Sequence, residues 1–151
     1  MKKSAVVRYN MLAQKLHSKK IPFLPKVIQN INRIVFSCDI PYTTEIPHSV
    51  KFGHNALGVV IHPKTKIGEN SLIMQHVTLG GNLNKKRIHN GQELTSPIIG
   101  ENVFIGPGAK ILGPVIIGNN AQIGANSVVL KDIPQNGVAA GIPAKIIKIL
   151  E

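Results

Sequence analysis

The sequence predicts a mainly β chain, a parallel β-helix of six-residue repeats with a short helical segment in front. Three observations predict it. Apolar residues recur at every sixth position, at Ile99, Ile105, Ile111, Ile117, Ile123 and Val129. Glycine and asparagine, which best tolerate left-handed backbone angles, fall between them at Gly100, Asn102, Gly106, Gly108, Gly118, Asn120, Gly124 and Asn126. Aromatic residues are only 4% of the chain and there is no Trp, so a core has to be made of Ile, Val, Leu and Ala in regular thin layers. A helix has no period of six, whereas a short strand followed by a corner does. Three such units make one triangular coil, and coils stack as parallel strands about 4.8 Å apart.

The elements follow in chain order. Residues 1–39 read as a helical cap. Up to residue 38 they carry eight basic residues (Lys2, Lys3, Arg8, Lys15, Lys19, Lys20, Lys26, Arg33) and no acid. Val6, Tyr9, Leu12, Ala13 and Leu16 have helical spacing, the stretch KKIPFLPK breaks it, and Leu24, Val27, Ile28, Ile31, Ile34 and Val35 restore it. The expected role is to close one end of the main body, with contact of this basic amphipathic segment with an anionic membrane as the other reading. The repeat occupies residues 40–147, starting with Ile40, Ile46 and Phe52 and continuing with Ile61, Ile67, Ile73 and Leu79. Residues 148–151 are expected to be a tail.

The rhythm breaks twice. Phe52 to Ile61 is nine residues, three more than a hexad, and His54 sits inside this slip. Leu79 to Ile99 is twenty residues, and positions 81–97 read as a polar loop. A regular coil needs no insertions, and rigid scaffolds commonly carry their functional residues on such loops.

A formal charge of +11, from 18 Lys and Arg against 7 Asp and Glu, fits a solvated basic surface or an anionic ligand. The anionic ligand could be a phosphate-rich cofactor, an acidic glycan or a membrane. Nucleic acid is not expected, since two Tyr and four Phe are all the aromatic residues and no stacking motif appears. Cys38 is the only cysteine, so neither an intrachain disulfide nor a cysteine metal cluster can form. The start MKKSAVVRYNMLAQ lacks the apolar run of a signal peptide, and no window holds 18 uninterrupted apolar residues. The expected compartment is the cytoplasm.

The segments VTLGG (77–81), IGENVFIGPGAKILGPVIIGNNAQIGANSVVLKDIP (99–134) and AAGIPAKII (139–147) resemble those of the hexapeptide-repeat acyltransferases. The resemblance is to the serine acetyltransferase-like branch, which includes sugar and polysaccharide O-acetyltransferases. It implies a left-handed winding, against the usual crossover rule, a homotrimer, and acetyl-CoA lying between adjacent subunits. It also implies that His54 in HNALGVVI is the catalytic base, although Gly58 follows it by four residues where the family has three. For acetyl-CoA the matching positions are Gly81, Gly106, Pro107, Ala125 and Lys145, with Lys131 and Lys110 as further candidates for the phosphates. Pro107 has no N–H, so it can contribute only its carbonyl or its packing.

Three departures bear on the acceptor. Serine acetyltransferases have an acid directly before the histidine, where this chain has Gly53. They have a histidine before a proline where Ser96 precedes Pro97. Their long helical domain is replaced by about 39 residues. These differences turn the expectation toward a sugar hydroxyl in surface-glycan synthesis, with L-serine as the alternative acceptor.

Acetyl transfer to an alcohol needs a base, and imidazole is part neutral at cellular pH. Backbone N–H groups near the insertion or near Gly81 could stabilise the oxyanion. Glu45, just ahead of Ile46, is a candidate to orient His54, His76 could face the acceptor, and a part for His89 in the loop stays open. No metal is expected. Two rival readings stay open: a zinc enzyme of carbonic anhydrase type on the same scaffold, and a β-helix binding module without chemistry.

Overall fold

The computed structural model describes residues 4–151; Lys2 and Lys3 of the basic segment lie outside the described residues. Two helices come first, α1 (Ala5–Ser18) and α2 (Leu24–Phe36). They pack as a hairpin, with the Tyr9 and Phe36 rings 6.1 Å apart. Pro25 sits in the first turn of α2, where the missing N–H costs nothing.

The helices present faces other than the expected ones. Val6, Val7, Asn10 and Ala13 are the buried stripe of α1, while Tyr9 and Leu12 are exposed. The buried positions shift because α1 lies on irregular chain rather than on an apolar sheet: Asn10 Nδ2 donates to the Pro41 carbonyl at 3.1 Å, and Gln14 Nε2 donates to that of Thr44. In α2 only Pro25, Ile28 and Asn32 are buried.

The rest is a triangular prism. β1 (Lys51–Phe52) precedes the His54 insertion. The next coil is β2 (Val60–Ile61), β3 (Lys66–Ile67) and β4 (Leu72–Ile73). The second starts with β5 (Thr78–Gly80), extrudes the antiparallel hairpin β6 (Arg87–His89) and β7 (Gln92–Leu94), and resumes with β8 (Ile98–Ile99) and β9 (Phe104–Ile105). The third is β10 (Lys110–Leu112), β11 (Ile116–Ile117) and β12 (Gln122–Ile123). The fourth has β13 (Val128–Val129), an isolated bridge at Ile133, and β14 (Gly137–Gly141). β15 (Ala144–Ile149) turns back antiparallel on β14, so the expected tail is in part a strand.

Residues six apart change face and residues of successive coils stack. The first face pairs β2, β5, β10 and β13, the second β3, β8 and β11, and the third β1, β4, β9, β12 and β14, all in parallel. The columns are apolar, Ile61, Leu79, Ile111 and Val129 on the first face, and Phe52 followed by Ile73, Ile105, Ile123 and Ala139 on the third. Asp39 bridges to Val60, which sets Ile40 at the head of the first column, as the six-residue count expects.

The corners explain the polar spacing. Asn70, Asn102, Asn120, Asn126 and Asn136 hold positive φ between 54° and 60°, and Gly108 holds 74°. His76 occupies the same corner position at φ 59°.

Candidate active site

The insertion after Phe52 lies at the corner where the third face hands over to the first. It is a turn of left-handed backbone: His54 has φ 49° and ψ 40°, Asn55 φ 53° and ψ 35°, and Ala56 φ 63°. Left-handed geometry costs an L-residue about 1–2 kcal/mol, so three in a row need outside support. The support is visible. The Ala56 methyl is fully buried, Leu57 N–H donates to the His54 carbonyl at 3.2 Å, and Val59 N–H donates to that of Ala56 at 2.9 Å. Gly58 N–H donates to the Ser37 carbonyl at 2.8 Å, tying the turn to the chain after α2. The Gly58 φ is +67°, and a Cβ there would run into the His76 ring. The result is an exposed His54 on a rigid mount. The N–H groups of Leu57, Gly58 and Val59 are therefore occupied, which removes them as the expected oxyanion donors.

Along the same corner the coils form a ladder. His76 N–H donates to the Leu57 carbonyl at 2.8 Å, Gly108 N–H to that of Gln75 at 2.9 Å, and Asn126 N–H to that of Pro107 at 2.8 Å. His76, Pro107 and Ala125 thus lie along one corner headed by the turn that carries His54, and Lys145 joins its far end through pairing with Ala140, which packs on Gly124. The Pro107 carbonyl already accepts from Asn126, so packing is its main means of contact. Gly106 is required by the stack itself, because a Cβ would lie 2.7 Å from Ala125 N and 2.8 Å from Ile123 O. Lys110 Nζ donates to the His76 carbonyl at 2.6 Å, which draws it from the proposed phosphates and braces the corner.

Other expected site residues lie elsewhere. Gly81 and Lys131 sit at the corner between the first and second faces. At Gly81 nothing in the chain requires glycine: a Cβ would come no closer than 3.4 Å to Thr95 O. Its missing side chain leaves room for an approaching ligand. Lys131 lines a basic cleft with Lys85 and Arg87, where Arg87 grips Asp132 through Nη1 at 2.9 Å and Nη2 at 3.0 Å.

Glu45 must be corrected as a partner for His54. It precedes Ile46 on the second-face side of the coil of Ile40, Ile46 and Phe52, and no hydrogen bond joins the two side chains among the described residues. It faces instead a cleft of about 730 Å³ under the β6–β7 hairpin, together with Lys64, Lys66, His89 and Ser96. Ser96 Oγ and Thr65 Oγ1 are buried there without a partner. The Lys86–Glu93 pair, at 2.9 Å, braces the hairpin beside it; their hydrogen bond and charges hold Glu93 below the usual carboxylate range and Lys86 above its own. The acid whose backbone borders the His54 turn is Asp39. Its N–H donates to the Val59 carbonyl at 2.8 Å, and its carboxylate pairs with Arg33 at 3.7 Å. The six-residue count could have found it, since Asp39 directly precedes Ile40, the head of the first-face column.

Gly53 also has a physical reason. A Cβ there would meet Met74 Sδ at 2.8 Å, so a side chain at this position requires the Met74 thioether of the next coil to swing aside.

The bacterial transferase hexapeptide (six repeats) model matches residues 96–131. A serine acetyltransferase of Staphylococcus xylosus is 39% identical over 139 residues, 92% of this chain and 61% of its own. The structure of Neisseria gonorrhoeae serine acetyltransferase in complex with serine superposes with a TM-score of 0.82 at 31% identity, covering 95% of this chain and 55% of that one. That of Brucella abortus serine acetyltransferase in complex with coenzyme A gives 0.84 at 31%, covering 96% and 55%. Fold and repeat together define a left-handed parallel β-helix of the transferase class. The chain belongs to the hexapeptide-repeat acyltransferases, in their serine acetyltransferase-like branch. It spans only about half to three-fifths of the length of these relatives.

Proposed function

We propose that the protein is an acetyl-CoA-dependent O-acetyltransferase with His54 as general base. The observation that carries this is the corner ladder, which runs from the braced left-handed turn bearing the exposed His54 to Pro107 and Ala125. In this reading the pantetheine arm runs along the ladder, and Lys145 lies toward the nucleotide end. The Gly81 and Lys131 edge comes from a neighbouring copy in a trimer, because one chain holds the two edges at different corners.

His54 takes the proton of the acceptor hydroxyl as its oxygen attacks the thioester carbonyl. The tetrahedral intermediate collapses, the C–S bond breaks, and the imidazolium returns the proton to the CoA thiolate. No covalent enzyme intermediate is needed.

L-serine is the acceptor that the relatives support, since they are named serine acetyltransferases and one was solved with serine. This corrects the balance of the sequence expectation, which put a sugar first. A sugar hydroxyl remains as a second reading for one specific reason: position 53, directly before His54, is Gly and supplies no carboxylate to hold an amino acid. The test is release of free CoA from acetyl-CoA with L-serine, then with nucleotide sugars and sialic acid as acceptors. Turnover with serine supports the first reading, and turnover with sugars alone supports the second. If no acceptor gives turnover and CoA does not bind, the proposal fails and the chain is a binding scaffold.

A further inference from the structure

We propose that the outer face of α2, with the turn before it, docks on an anionic lipid bilayer surface. This inference does not rest on the acetyltransferase reading. Phe23, Leu24, Val27, Ile31, Ile34 and Val35 all point outward, with Phe23 85% and Ile34 81% exposed. At 100° per residue the five on α2 lie within an arc of about 100° on one side of the helix, and Phe23 stands in the turn just before it. The flank next to this arc, through Ile28, Asn32 and Pro25, already packs on the body. No strand, loop or second helix of the described chain covers the outer arc.

The charges beside the arc choose the occupant. Lys19 and Lys20 stand in the turn just before Phe23, and Lys26 lies on α2 next to the arc. Neither helix carries an acid, and Arg33 is in the only ion pair recorded for this segment among the described residues, with Asp39. A second copy meeting this face across a two-fold axis would set the same lysines against one another. An anionic lipid surface instead accepts both parts, with the apolar arc sunk among the acyl boundaries and the lysines at the headgroups. At 13 residues α2 lies along the surface and does not cross it; no helix of the described residues is long and apolar enough to span a membrane.

The experiment is co-sedimentation of the full chain with vesicles of phosphatidylcholine alone and of phosphatidylcholine mixed with phosphatidylglycerol. Partition onto the anionic vesicles is expected to exceed that onto neutral ones at least about tenfold, and to fall when NaCl rises from about 0.1 M to about 0.5 M. Phe23→Ser with Ile34→Ser, and separately Lys19→Gln, Lys20→Gln and Lys26→Gln together, should each abolish most of it. Both sets are at exposed positions, so circular dichroism and sedimentation mass should stay as in the parent. Equal partition onto both vesicle types, or onto neither, overturns the inference. A drop in oligomeric mass in the Ser variant also overturns it, by showing that the face joins copies of the chain. CoA release with a soluble acceptor is read in parallel: its absence in the parent would sink the transferase proposal and leave the vesicle result standing.

Discussion

His54 stands in a backbone conformation that an L-residue avoids, and Gly58 is the residue that lets the turn close. Gly58→Ala adds a methyl where φ is +67° and where the His76 ring already sits. We expect it to lower stability by about 1–3 kcal/mol, by thermal or urea melting, and to reduce turnover further by moving His54. A variant that melts like the parent with full turnover would show the turn to be plastic. His54→Ala itself should lower kcat by about 10² to 10⁴-fold with acetyl-CoA binding retained, read as kcat and the Kd for CoA. Cys38 offers a contrast. Burial, aided by the neighbouring charge of Asp39, pushes its thiol up to about 11. Its raised value makes the neutral thiol the native form, so this contribution to stability is complete below about pH 9 and lost as pH rises toward 11. At pH 8 an aromatic disulfide reagent should label it slowly in the native protein and quickly in denaturant. The place of His54 on an exposed insertion was legible from the break in the six-residue count. The place of Glu45 was legible too, because Ile46 leads a different face from the corner that carries His54. The Met74 contact with Gly53 was not, since it joins positions across coils through side-chain shape.

Among the elements, the strands were readable because each needs only one inward aliphatic and a corner residue. The hairpin in residues 81–97 was not, for its two strands pair with each other and expose Ile88 instead of burying it. The helices show why an amphipathic pattern does not name its partner: α2 has the stripe, but turns it outward. The hairpin is tied down at Arg87, whose bidentate grip on Asp132 is shared with Ile116 N–H donating to Oδ1 at 2.8 Å. Both side chains are at least a third exposed, so Arg87→Ala should cost less than about 1 kcal/mol in global stability. Its effect belongs to the hairpin alone: limited trypsin digestion should nick the variant around Lys85 and Lys86 well before the parent, with the same global melting curve. Equal nicking rates would show that the hairpin holds without this clasp.

At the scale of the whole molecule the prism is a stack in which each coil touches only its neighbours, so stability is a sum over layers and interfaces. Ile105 lies mid-stack, fully buried, between Ile73 and Ile123 on the third face. Ile105→Ala opens a cavity that the aliphatic column cannot close, since the neighbouring coils are held by backbone ladders on all three faces. A loss of about 2–5 kcal/mol in urea is expected. Ile133 sits in the last coil with only the Ile117 layer beside it, and Ile133→Ala should cost less because the end can settle inward. The central variant carries a second consequence. Ile105 is two residues before Pro107, so a slackened coil at 105 lets the corner ladder bend below His54 and should weaken CoA binding as well. Ile133→Ala should leave that affinity near the parent value. If both variants lost stability and CoA affinity equally, the layers would not act as near neighbours, and the stack would have to be treated as one cooperative block.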